Sequence, residues 1–325
     1  MRTIAIEEHF LGRGYGEAMQ RNAPGGGRPA LLTRGADWFG QLADLDALRL
    51  AHMDQGGIDV QVLSDIGSSF VPFSGEAAVR LAQQSNDQLA AAVAAHPDRF
   101  AGFANLPMTE PSAAADELER GVRSLGLKGA MIHGTTGGRF LDDPSFAPVL
   151  QRAADLDVPI YIHPAPPPAP VMAAYYDGVD PALRFSLSTA GWGWHSEVGL
   201  HALRLILAGV FDRWPTLQII IGHMGEMLPF MLARSDDVLT PQAKHLQLPV
   251  REYILRNIHI TTSGFFTDPP LLLALQVMGA DRIIFSVDYP FSANERGRDF
   301  LDHASISPAD KEKISHGNAE RLLRL

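Results

Sequence analysis

The sequence predicts an α/β fold, a (β/α)8 TIM barrel with loop insertions at its C-terminal face, read as a single domain over residues 1–325. Three observations predict it. Short β-branched runs alternate with longer segments of helical apolar spacing. Eight alternations of this kind favour a closed parallel barrel over an open doubly wound sheet. The apolar runs also end repeatedly in metal-ligand residue types. Thr3-Ile4-Ala5-Ile6 runs into Glu7-Glu8-His9, and four other runs finish in His133, His163, His223 and Asp288. A hydrophobic share of 46% supplies a sizeable core, and a barrel of about 250 residues leaves room for insertions.

The strands are expected at residues 3–6, 60–64, 100–105, 129–133, 159–163, 218–223, 258–263 and 283–288. Helical spacing covers 44–53, 77–93, 197–210 and 227–239, and Ser307-Pro308 is an N-cap and first-turn pair for a last helix over 308–322. Two segments break the rhythm. Residues 12–38 contain Gly25-Gly26-Gly27 and Arg34-Gly35, and read as an irregular excursion after the first strand. Residues 164–194 follow the fifth strand with Pro164, Pro166, Pro167, Pro168 and Pro170 and then Gly191-Trp192-Gly193-Trp194. Both leave the C-terminal face, where barrel active sites lie, so both are expected to shape a pocket or an oligomer contact.

Net charge is -10 with no block of consecutive Lys or Arg, so neither nucleic acid nor an anionic membrane is an expected partner. The absence of cysteine removes disulfides, thiolate metal sites and a Cys nucleophile. The N-terminus enters a strand pattern at once, and no apolar run approaches the roughly 20 residues that span a bilayer. A cytoplasmic location is therefore expected.

A divalent cation needs hard or borderline donors converging from different elements. Glu7 and His9, two apart, share one side of the first strand. His163 and Asp288 end the fifth and eighth strands. Glu8 is expected to point the other way, toward the helix layer, as a structural or surface acid. His223 opens His223-Met224-Gly225-Glu226 after the sixth strand. It reads either as an acid–base group whose tautomer Glu226 fixes, or as a residue that closes the loop with Glu226 at a helix start. Arg234, about two turns further on, reads first as a surface residue. His133 is balanced between pocket and structure, His201 reads as core, and Trp192 and Trp194 read as loop packing. Phosphate-loop, dinucleotide and nucleophile-elbow motifs are absent.

Taken together, Glu7-Glu8-His9-Phe10, Tyr161-Ile162-His163-Pro164, Gly222-His223-Met224-Gly225-Glu226, Thr261-Thr262-Ser263-Gly264, Phe285-Ser286-Val287-Asp288-Tyr289-Pro290-Phe291 and Asn318-Ala319-Glu320-Arg321-Leu322 carry a family resemblance. The chain resembles, over nearly its whole length, the amidohydrolase branch of metal-dependent, non-oxidative aromatic acid decarboxylases of the γ-resorcylate and 5-carboxyvanillate types. The resemblance implies one divalent metal ion per subunit, zinc or manganese, held by Glu7, His9, His163 and Asp288. It implies Asp288, His223 and Glu226 as catalytic residues, and Arg234, His133 and Phe291 against a small aromatic acid, in a homodimer or homotetramer. The chain departs from both types at Asp65-Ile66-Gly67-Ser68-Ser69-Phe70-Val71-Pro72 and in the Gly-rich insert before Trp38, places expected to border the pocket. Three activities are open at this point. The first is decarboxylation of an ortho-hydroxylated aromatic acid. The second is metal-dependent hydrolysis of a lactone, ester or amide, and the third is ligand binding without catalysis.

Overall fold

In the computed structural model, which describes residues 1–22, 38–70 and 73–325, the apolar runs form parallel strands. These are β1 (Ile4–Phe10), β2 (Val60–Asp65), β3 (Phe100–Gly102), β4 (Ala104–Asn105), β5 (Ala130–His133), β6 (Ile160–His163), β7 (Ile219–Ile221), β8 (Ile258–Thr261) and β9 (Ile283–Ile284). They pair in the order β1-β2-β3 and β4-β5-β6-β7-β8-β9. The third expected strand is thus divided at Phe103. Its N–H still reaches Leu63 O at 2.9 Å, while the next N–H, of Ala104, reaches Gly129 O at 2.8 Å, so one run of chain joins both ladders.

The eighth expected strand, 283–288, is shorter than its sequence pattern. Only Ile283 and Ile284 join a ladder, because Phe285 N–H turns to Ile314 O at 2.9 Å. Side chains close the seam between β9 and β1 instead. Ile6 N–H donates to Ser286 Oγ (3.0 Å), and the Glu8 carboxylate accepts from Val287 N–H (2.9 Å) and Tyr289 N–H (3.0 Å). One backbone bond, His9 N–H to Tyr289 O at 2.7 Å, completes the closure. The result is a distorted (β/α)8 barrel with eight strand positions.

Ile4, Ile6, Val60, Val62, Phe103 and Tyr161 are among the residues filling the barrel interior, and a larger apolar layer packs the outer strand faces against the helices. The expected loop over 12–38 is helical at both ends, Arg13–Asn22 and Trp38–Ala43. Gly25-Gly26-Gly27, Arg34-Gly35 and Val71-Pro72 lie outside the described residues. The proline-rich stretch after β6 forms helices Ala169–Tyr176 and Pro181–Ser188, with prolines in their first turns, where a missing N–H costs nothing. Among the described residues, no helix is long and apolar enough to cross a membrane.

Candidate metal centre and its cavity

The first strand carries one residue more than its partner. Ala5 pairs with Gln61 but Glu8 with Leu63, three residues against two. Such a bulge resets the in–out alternation of a strand. Ile4 and Ile6 fill the interior, and alternation from Ile6 alone would send Glu8 inward. With the extra residue, Glu7 joins the inner face, His9 follows it opposite Ser64, and Glu8 turns outward to the seam as the sequence reading expected.

Four side chains then converge. The donor atoms of Glu7, His9, His163 and Asp288 lie within 4.8 Å of one another. Glu7 Oε1 is 3.4 Å from His163 Nε2, and His9 Nε2 is 3.2 Å from Asp288 Oδ1. Glu7 Oε1, His9 Nε2 and Asp288 Oδ1 are all buried without a hydrogen-bond partner. Unpaired buried polar atoms are costly, and three at one point are the arrangement a cation satisfies. The remaining atoms are anchored. Glu7 Oε2 accepts from the hydroxyls of Tyr161, Thr261 (3.0 Å) and Ser263. His163 Nδ1 donates to Pro164 O at 2.7 Å, which leaves its Nε2 as a lone pair. His9 Nδ1 is 3.1 Å from Ser64 Oγ. These contacts orient the donors as outer partners do in metal sites.

His223 borders the cluster, its Nε2 3.7 Å from Glu7 Oε1 and 3.8 Å from Asp288 Oδ2. Its other nitrogen lies 2.8 Å from Glu226 Oε1. Glu226 is not at a helix start. His223, Met224, Glu226 and Met227 all have positive φ, between 48° and 67°, and the helix begins only at Leu228. Asp288 shares this trait at φ 73°. Left-handed non-glycine backbone is strained and persists where the surroundings over-determine it, and here it aims the site's side chains. Burial disfavours charge on His223, but the carboxylates of Glu7 and Glu226 outweigh it and hold its pKa well above the usual imidazole range. For Asp288 burial pushes the other way, and the His223 and His9 imidazoles hold its carboxyl below the ordinary value.

Glu226 has a second partner that the sequence reading missed. Its Oε2 lies 2.6 Å from His195 Nδ1, and His195 Nε2 accepts from the Trp194 indole at 3.2 Å. One carboxylate therefore spans two imidazoles whose ring centroids are 4.7 Å apart. His195 opens the helix Gly193–Leu207 rather than ending a strand, so a search of strand ends could not find it. The Gly-Trp-Gly-Trp-His run was the available signal.

A cavity of about 420 Å³ opens over these groups. His163, His195, His223 and Asp288 form its polar end, and Trp38, Ile66, Phe185, Trp194, Phe265 and Phe291 are among its apolar walls. Phe291 thus faces it, with its ring 5.8 Å from that of His9. Trp194 also faces it, beyond the packing role expected. His133 does not; it packs edge-on against His163 at 5.1 Å and lines a smaller cavity of about 120 Å³ with Ser68 and Thr135. Burial, with His9 adding, lowers the His133 pKa to about 3. Arg234 is not brought to the cavity of its own chain. It is exposed, because Leu228, Pro229 and Leu232 give the helix Leu228–Leu239 its buried face.

A parallel barrel that gathers imidazoles and carboxylates from its strand ends beneath an aromatic-walled cavity has the architecture of a metal-dependent barrel enzyme. The amidohydrolase family profile matches residues 30–325. The chain is 39% identical to "Decarboxylase orsB" of Emericella nidulans, over 99% of this chain and 97% of that protein. It is 37% identical to a γ-resorcylate decarboxylase of Polaromonas sp., over 99% and 98%. Its fold superposes with a TM-score of 0.90 on 5-carboxyvanillate decarboxylase from Novosphingobium aromaticivorans, solved with manganese and 4-hydroxy-3-methoxy-5-nitrobenzoic acid, at 33% identity over 100% of this chain and 96% of that one. The chain belongs to the amidohydrolase family, in its branch of aromatic acid decarboxylases.

Proposed function

We propose that this chain is a metal-dependent, non-oxidative decarboxylase of an aromatic carboxylic acid that carries a hydroxyl ortho to the carboxylate, a 2,6-dihydroxybenzoate-like substrate. The observation that carries this reading is the convergence of Glu7 Oε1, His9 Nε2 and Asp288 Oδ1, buried and unpartnered, at the polar end of an aromatic-walled cavity. Glu7, His9, His163 and Asp288 fit one divalent ion, zinc or manganese, and would hold it. Such an ion, when bound, supplies Lewis-acid polarisation and a template for a carboxylate and its neighbouring phenol oxygen.

The protein's own residues do the rest. Phe185, Phe265 and Phe291 confine the ring and exclude water, which strengthens every electrostatic term inside. Asp288 stands where the donor cluster meets the cavity, and delivers a proton to the ring carbon that bears the carboxylate. A ring π pair forms the new C–H bond. The C–C bond to the carboxylate then breaks, its electron pair restores the aromatic ring, and CO2 leaves. Asp288 is held ionised at rest, so the proton it delivers comes from His223, whose charged form the neighbouring carboxylates favour, and His223 regains one from solvent. Glu226 pins His223, and His195 pins Glu226. Arg234, exposed on this chain, is assigned to the substrate on family resemblance alone. The same resemblance supports a homodimer or homotetramer, and the cysteine-free sequence fits the cytoplasm.

Product analysis on benzoates with and without ortho hydroxyls, using protein of verified metal content and a chelated control, tests the reading. CO2 release confined to ortho-hydroxylated acids and lost on chelation is expected. No CO2 from any acid, with turnover of a lactone or ester instead, would overturn it in favour of hydrolysis. Asp288→Asn is expected to abolish turnover even where metal content survives.

A further inference from the structure

The far end of the barrel holds a second polar cavity, of about 170 Å³, lined by Asp157, Thr216, Gln218, His259, Arg321 and Arg324 among others. That is roughly six waters' worth of space. It lies where β6, β7 and β8 begin, at the opposite end of β6 from His163. Arg282, next to it, donates from Nη1 to Gln218 Oε1 and to His259 Nε2, both at 3.0 Å. A guanidinium can only donate, so His259 Nε2 accepts and the ring proton of the neutral imidazole sits on Nδ1. That Nδ1 is buried and has no hydrogen-bond partner, in a side chain only 5% exposed.

The surrounding charges do not cancel. Arg324 pairs with Asp157, and Asp281 pairs with Lys313 at 2.9 Å. Arg282 and Arg321 make no ion pair among the described residues. Arg321 donates only to neutral acceptors, Asp281 O (3.2 Å) and Asn318 Oδ1 (2.8 Å). The two guanidiniums are close enough that, after burial itself, Arg321 is the next influence lowering the Arg282 pKa. Arg321 is exposed and Asp281 offsets part of the repulsion on Arg282, but the excess of guanidinium charge beside a buried, unused N–H donor suits the cavity to an anion. We propose that this cavity binds a small oxyanion, held by Arg321 and the His259 Nδ1–H with the charge of Arg282 behind them. Burial, with Arg282 and Arg321 adding, lowers the His259 pKa to about 3, so the ring offers its neutral N–H across physiological pH. The site is independent of the reaction at the other end of the barrel.

Calorimetric titration of the full metal-loaded chain with sodium sulfate at fixed ionic strength tests this, with sodium acetate in a parallel arm to separate a tetrahedral oxyanion from a carboxylate. One saturable anion per chain is expected in the wild type and in Arg80→Gln, an exposed control. Binding at least tenfold weaker is expected in Arg321→Gln, with most of it restored in Arg321→Lys. Sulfate should also raise the wild-type Tm above that in matched chloride, by roughly 2 °C or more, and should not do so in Arg321→Gln. No saturable binding of either anion, or binding in Arg321→Gln equal to wild type, overturns the proposal.

Discussion

Glu7 and Glu8 are neighbours on β1 and both are fully buried, yet the two faces of the strand use them in opposite ways. On the outer face, Glu8 spends both oxygens on the N–H groups of Val287 and Tyr289. The buried guanidinium of Arg49 stands nearby and donates to His9 O at 2.6 Å. On the inner face, three hydroxyls crowd one oxygen of Glu7 and leave the other bare. The imidazoles divide in the same way. His163 anchors Nδ1 and keeps Nε2 open toward the cluster, whereas His201 uses Nε2 to accept the Leu141 N–H at 2.8 Å. In both of these pairs burial does not separate the structural group from the functional one; the unspent atom does.

The largest effects should come from breaking that contrast at its centre. Glu7→Gln replaces a bare anionic oxygen and sets an amide among three hydroxyls. Bound metal measured after desalting should fall well below one per chain. Turnover should drop by more than the roughly 10–100-fold that loss of an outer partner costs, with the fold kept. Glu8→Leu should do the reverse. It strands two buried N–H donors at about 1–3 kcal/mol each, so denaturant unfolding should show a loss of about 2–6 kcal/mol. The folded fraction should retain its metal. Equal metal loss in both variants would erase the distinction between the two faces.

The strand ends were legible because β-branched runs and the residue types that close them are local signals. Glu7, His9, His163 and Asp288 could be picked from the chain, and their spacing set Glu8 on the face opposite Glu7 and His9. Other features rest on long-range or backbone effects that no short motif reports. The bulge between Ala5 and Glu8 brings Glu7 to the inner face, and nothing in Ile4-Ala5-Ile6-Glu7-Glu8 marks where the extra residue falls. Tyr161 reads as one more apolar strand residue, although its hydroxyl reaches Glu7 across the barrel. Glu226 sits in a left-handed turn of non-glycine residues that propensity disfavours, so a helix start was the natural expectation. His195 comes from a helix, outside a rule built on strands, and the side-chain seam at Ser286 and Glu8 looks like ordinary strand in sequence.

Among the imidazoles the contrast can be sharpened with pH. Burial lowers the His201 pKa to about 4 from an ordinary 6.5, with Arg204 adding and Asp142 opposing. The unfolded chain therefore takes up this proton first as the solution is acidified. The stabilisation is complete above pH 6.5 and drains away as pH falls toward 4, roughly 2–3 kcal/mol by pH 4.5. His201→Gln keeps an acceptor for Leu141 without titrating. Denaturant unfolding at pH 7 and pH 4.5 should show a smaller acid loss in the variant than in the wild type, with unchanged metal content at pH 7. An equal loss in both would mean that His201 does not carry this part of the pH dependence.

Tyr161→Phe is the mildest and most discriminating change. It removes one of the three hydroxyls on Glu7 Oε2 and preserves the ring that packs in the barrel interior, 6.1 Å from Phe103. Thr261 and Ser263 still reach the same oxygen, so the carboxylate keeps partners and global stability should change by about 1 kcal/mol or less. The bare oxygen, however, loses part of what fixes its direction. Manganese affinity, measured by chelator competition, should weaken by about 10-fold and by no more than 100-fold, while turnover at saturating manganese should recover most of the wild-type rate. Unchanged affinity with reduced stability would place the hydroxyl grip among the structural contacts, like the two N–H groups on Glu8. Weakened affinity with unchanged stability would show that the inner face gives up packing economy to hold one oxygen toward the cluster.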